Sequence, residues 1–146
     1  MIKKLKVILL IGFLSVFLHG CITYRAIQVV QATAVVDRFY QALNQNNVTA
    51  AVDLYSADFR QTVGEELLKE NLNRDMKRFG SFVDYQVKSW KIENDKDKHR
   101  QLVLVCQVAY QKGATLEVFV IQLGGSERIS SHEIKKERLS EGEFQI

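Results

Sequence analysis

The chain has no proline, no repeat, no low-complexity segment and no serine- or glycine-rich stretch after Cys21. Nothing in it therefore reads as a linker between domains, and 146 residues are enough for one domain. Long hydrophobic runs are also missing. The longest, Val7 to Leu18, falls short of the roughly 20 residues that a membrane-crossing helix needs. A surplus of positive charge is missing too. The formal net charge of +3 comes from Lys3, Lys4 and Lys6; without them the 20 basic residues fall to 17, equal to the 17 acidic ones. A nucleic-acid binder shows a basic stripe or patch, so nucleic acid is excluded as a partner. The dense basic spots, Lys96 to Arg100 and Lys135-Lys136, are interleaved with acids and read as a solvated turn and a strand end. There is no nucleophile elbow, no P-loop and no dinucleotide fingerprint.

What is present begins with three lysines, the apolar run and Gly20-Cys21. A basic start, an apolar stretch and small residues at its end are the parts of a secretory signal. Leu18-His19-Gly20-Cys21 resembles the lipobox of bacterial lipoproteins, with His19 standing where that pattern has a small or aliphatic residue. The resemblance implies removal of residues 1–20 and lipidation of Cys21, with 21–25 as a short tether and 26–146 as one domain. An ordinary signal peptide and an uncleaved anchor are the alternatives. Ile22 rather than Asp after the cysteine implies, by the same resemblance, the periplasmic face of the outer membrane in a Gram-negative host. Two or more acyl chains give stable anchoring. Cys106 is then the single free thiol, and no internal disulfide is expected. It lies in the apolar run Leu102 to Val108, where cysteine behaves as a small hydrophobe.

Ala32, Val35, Val36, Phe39, Tyr40 and Leu43 recur with helical spacing and predict one buried face of a helix from about Tyr24 to Asn44. Asn47 is placed to cap a short helix over 48–55, which Ser56-Ala57-Asp58 breaks. Thr62-Val63-Gly64-Glu65 has the form of a capping box for a helix over 63–79, ended by Gly80. From Phe82 the period changes to extended. Strands are predicted over 82–93, 100–111, 115–123 and 128–138, and the residues from Leu139 are expected to fray. Short turns pair such strands antiparallel. The strand over 100–111 is apolar on both faces and is expected to be central, with either face free to meet the helices. The fold class is α+β, with N-terminal helices on a curved antiparallel sheet of about four strands.

Ala34 to Leu43, then Asn46-Asn47, then Ala51 to Phe59 resemble the opening pattern of the nuclear-transport-factor-2-like superfamily, in which a bent sheet wraps the first helix into a cone. The resemblance makes Phe39, Tyr40, Tyr55, Cys106 and Tyr110 candidate cavity-lining residues. It also raises ketosteroid-isomerase chemistry, which needs a tyrosine on the first helix and an aspartate base. Phe39 occupies the position of that tyrosine, and Thr62-Val63 that of the base, so this chemistry is rejected. Asp53, Tyr55 and Asp58 lie close in sequence, but read as a helix surface, a core anchor and a turn. His99 falls in the charged turn and His132 in the last strand. No His, Cys, Asp and Glu set has metal-ligand spacing, and no metal, cofactor or catalytic residue is assigned. The function expected is a non-catalytic, membrane-anchored envelope domain that binds a protein partner or a second copy of itself. A small apolar-ligand cone is the alternative, followed by an enzyme using the same cavity.

Overall fold

The computed structural model describes residues 27–135. The signal segment 1–20, the lipidation site Cys21, the tether, the helix start near Tyr24, the strand end at Arg138 and the residues from Leu139 lie outside these residues. The chain divides between residues 31 and 32 into two units. In the first, residues 27–31 are helical. The second, from Ala32 onward, carries the remaining helices and the sheet. Among the described residues no helix is long and apolar enough to cross a membrane.

The first helix of this second unit, α1, covers residues 32–44. The six residues of its apolar stripe are all buried. It ends where Asn46 takes a left-handed conformation, at φ 56°. The Asn47 and Asn46 amides then bond back to the carbonyls of Ala42 and Leu43, each at 2.9 Å. This double closure satisfies carbonyls that would otherwise be orphaned, and asparagine tolerates the turn without glycine. Three more helices come next in the chain: α2 (Val48–Val52), α3 (Ala57–Val63) and α4 (Glu65–Phe79). Asn47 caps α2 through its side chain.

Two expectations are corrected here. The stretch at Ser56 starts a helix rather than ending one: the Ser56 hydroxyl accepts from the Phe59 amide at 3.2 Å and caps α3. The capping box is not formed either. Thr62 lies inside α3, and α4 starts from Gly64, whose φ of 91° turns the chain between the two helices without a side-chain cap.

Strands β1 (Phe82–Asn94), β2 (Arg100–Tyr110), β3 (Gly113–Gln122) and β4 (Arg128–Lys135) form one antiparallel sheet in sequence order. The fold is therefore α+β, with helices packed on the sheet. The face left open by the sequence is settled: Leu102, Leu104, Cys106 and Val108 are fully buried, and Val103, Val105, Gln107 and Ala109 are half-buried on the far side. Phe119 and Ile121 continue the buried face on β3. Each fully buried Val, Leu or Phe contributes roughly 1.5–3 kcal/mol, so this face and the α1 stripe supply the main drive for docking helix on sheet.

The pairing of β3 with β4 carries one irregularity. Ile121 pairs with Ile129 and Val120 with Ser131, so Ser130 is an extra, unpaired residue. Beyond it His132 pairs with Phe119 and Ile134 with Glu117. A bulge of this kind re-aims the side chains beyond it. Strict alternation from Ile129 would send His132 outward; the extra residue brings it to the inner face. The Ser130 hydroxyl donates to the Val120 carbonyl at 3.1 Å and holds the bulge. The start of β4 is also tied to the segment after α2. The Ser56 amide donates to the Ile129 carbonyl at 2.8 Å, and the Ile129 amide to the Leu54 carbonyl at 3.0 Å. These two bonds set Tyr55 beside the inner face of β4.

Candidate functional site

Glu117 stands in the middle of β3 at an inner-face position, with no solvent exposure. A carboxylate moved alone into such a place would be prohibitively unfavourable. Four donors surround this one. Tyr40 on α1 donates to Oε2 and Tyr110 on β2 to Oε1, each at 2.7 Å. The Thr115 hydroxyl donates to Oε1 at 2.7 Å. His132 on β4 approaches Oε2 through Nε2, also at 2.7 Å. Two carboxylate oxygens offer about four acceptor positions, so the group is saturated. Burial pushes the Glu117 carboxyl up. The hydrogen bond and charge of His132, with the bonds from Thr115 and Tyr110, outweigh it and hold the carboxyl below its ordinary value. The reverse acts on the donors. Burial, with the negative charge of Glu117 next, drives the Tyr40, Tyr55 and Tyr110 hydroxyls well above the usual range.

His132 carries this network outward. Its ring stacks on Phe119, with centroids 4.2 Å apart and planes 9° from parallel, and meets the edge of Phe39 at 5.3 Å. Its Nδ1 lies 3.0 Å from the Tyr55 hydroxyl. Because Glu117 only accepts, Nε2 carries a hydrogen. In the neutral ring Nδ1 then accepts from Tyr55. In the protonated ring both nitrogens donate, and the hydrogen of Tyr55 is released for another acceptor.

Tyr55 and His132 line a cleft of about 480 Å³. Its apolar walls include Phe59 of α3, Leu72 and Phe79 of α4 and Ile134 of β4. Asn71, Arg74, Asp75 and Arg78, all on α4, add polar groups. Such a volume lies within the range of small-molecule sites, roughly 300–1,000 Å³, and half of the twelve lining residues carry polar or charged side chains. Asp75 makes no side-chain hydrogen bond or salt bridge to another described residue. Burial pushes its carboxyl up, Arg74 pulls against that, and Glu117 adds to the push.

The candidate residues named from sequence separate in the structure. Tyr55 lines this cleft. Tyr110 lines a second one of about 380 Å³, between the end of α1 and the α4–β1 junction. Phe39, Tyr40 and Cys106 are buried in the core. Cys106 faces Glu117 across the β2–β3 pairing, and burial, with that negative charge adding to it, pushes the thiol up to about 12. Asp53 and Asp58 are exposed, and Asp53 pairs with Arg60 at 3.3 Å.

Sequence reasoning missed Glu117 and passed over His132. Two signals were available. A glutamate occupies the inward position between Thr115 and Phe119. Ile129 and Ile134, both apolar, are of opposite parity, which one strand can reconcile only with an extra residue between them. The structure also gathers Asp95, Asp97 and His99 within 4.8 Å in the exposed β1–β2 turn, a grouping that spacing did not suggest. The Asp95 carboxylate there accepts from the amides of Asp97 and His99, which accounts for it as turn chemistry. Compared with known proteins, the chain matches no protein-family model and no curated protein sequence.

Proposed function

We propose that this chain is a lipid-anchored domain of the cell envelope, of the nuclear-transport-factor-2-like type, and that it binds a small molecule in the cleft between α3, α4 and β4. One observation carries the binding reading: the hydrogen-bonded series from Glu117 through His132 to Tyr55 ends at the wall of a cleft. A buried charge with four donors is a demanding construction, and apolar residues of similar volume often serve stability as well or better. Its link to a cleft gives it a use. The anchor rests on the lipobox resemblance at Cys21, and the outer-membrane location on Ile22.

The test is native mass spectrometry of the full-length protein, extracted in detergent from its own host. The expected spectrum shows acyl mass on a chain beginning at Cys21 and a retained small molecule that is lost when Val63→Trp fills the cleft. A bare chain with an unmodified N-terminus would overturn the anchor. A ligand still held by the Val63→Trp variant would place binding elsewhere.

A second reading, docking of a protein partner or a second copy, is favoured by the far face of the sheet. Val103 and Val105 of β2 lie opposite Val120 and Val118 of β3, forming a half-exposed aliphatic patch. Contiguous apolar surface of this kind often marks an interface. Val105→Lys should then abolish association seen in the native mass without disturbing the cleft.

A further inference from the structure

We infer that the occupant of this cleft is a small organic anion with an apolar body, its acidic group held by Arg74 and Arg78. The inference rests on the cleft being a ligand site. The two arginines stand one turn apart on α4, and both line the cleft. Elsewhere among the helices some cations are paired with carboxylates: Arg60 bridges Asp53 and Glu65, at 3.3 and 3.2 Å, and Lys69 bonds Glu66 at 2.8 Å, while Arg38 instead bonds the Ala34 carbonyl at 3.3 Å. Arg74 and Arg78 form no salt bridge to any described residue. Arg74 instead donates to the amide oxygen of Asn71 at 2.6 Å, which orients the guanidinium and leaves other N–H groups free. The Arg78 guanidinium lies over the Phe79 ring, 5.0 Å from its centroid. Guanidinium groups held this way are suited to bidentate recognition of a carboxylate or phosphate.

Two acids lie nearby. Glu117 keeps its charge but spends its acceptor positions on four donors of the protein, so it offers no partner to a ligand, and the Asp75 carboxyl, facing Arg74 and Arg78, has its charged form disfavoured by burial and by Glu117. A cation entering the cleft would meet both arginines, whereas an anion meets them as partners. The walls then supply the rest. Phe59, Leu72 and Phe79 offer apolar surface, and the Tyr55 hydroxyl, 3.0 Å from His132 Nδ1, offers a polar group to a hydroxyl or amide of the ligand.

The test uses full-length protein in nanodiscs of zwitterionic lipid, dialysed to equilibrium against three probes with one body: 4-phenylbutyrate, 4-phenylbutanol and 4-phenylbutylamine. Empty nanodiscs correct for partition into lipid. The acid should bind at least tenfold more tightly than the alcohol, with the amine weakest. Arg74→Gln combined with Arg78→Gln should bring the acid down to the level of the alcohol, in a protein whose circular dichroism is unchanged. Equal affinity for all three probes would overturn the anion inference and leave the cleft as a ligand site. Preference for the acid that survives the double substitution would overturn the role of these arginines. Binding of no probe above the empty nanodiscs would overturn both the inference and the reading beneath it.

Discussion

Glu117 holds its charge among aromatic rings because four hydrogens converge on it. Glu117→Gln replaces one oxygen with an amide that turns hydrogens toward donors. Removing one side of a buried charged pair costs about 3–5 kcal/mol, so the variant should lose about 3 kcal/mol in urea titration at pH 7. The pH dependence has a definite sign. The folded carboxyl titrates below its ordinary value of 4.5, so its stabilisation is complete above that pH and fades as the pH falls through the folded value. The advantage of the wild type over the variant should therefore shrink below about pH 4.5. An advantage undiminished at pH 3 would mean that the carboxylate is not the stabilising species. Asp75 behaves oppositely. Its carboxyl is raised above 3.8 in the fold, so its favourable contribution is present below that value and is lost as the pH rises through the folded one. Asp75→Asn should be more stable than wild type at pH 7, by a margin that vanishes below about pH 4. Carboxyls that lower stability at working pH are common at sites kept for function.

At the scale of elements, the short segment between α2 and α3 does more than connect. Ser56 caps α3, and its amide and the Leu54 carbonyl bind the two sides of Ile129. Ser56→Ala should lower stability by about 1 kcal/mol, the usual loss for a serine cap, measurable as a shift in denaturation midpoint. The helices and strands were legible in the sequence because their periods are clear: the α1 stripe, the change of period at Gly80, and short turns at Lys112-Gly113 and Gly124-Gly125. The capping box at Thr62 misled because the motif describes a helix start and cannot reveal that Thr62 already lies within another helix. The site was largely illegible for a different reason. Tyr40, Tyr110, Glu117 and His132 come from α1, β2, β3 and β4, and no local spacing relates them. Only Tyr55 was named as a candidate and also found in the wall of this cleft.

For the molecule as a whole, the buried tyrosines set an alkaline limit. Tyr40, Tyr55 and Tyr110 are all raised above 10.0 in the fold. Their contributions are complete below pH 10 and are lost as the pH climbs toward the folded values. The protein should unfold above pH 10, with tyrosinate absorbance of these three residues appearing together with the loss of the circular dichroism signal. Tyrosinate from all three rising well before unfolding would show that the rings are not sealed in. The bulge at Ser130 bears on the search for relatives. Ile129 and His132 share a face although three positions separate them, and a strand without the extra serine would bring the same two side chains together at a separation of two. A kindred protein could thus hold the same chemistry under an Ile-x-His signature in place of Ile-x-x-His, and alignments that open no gap at residue 130 would pair this histidine with a surface residue.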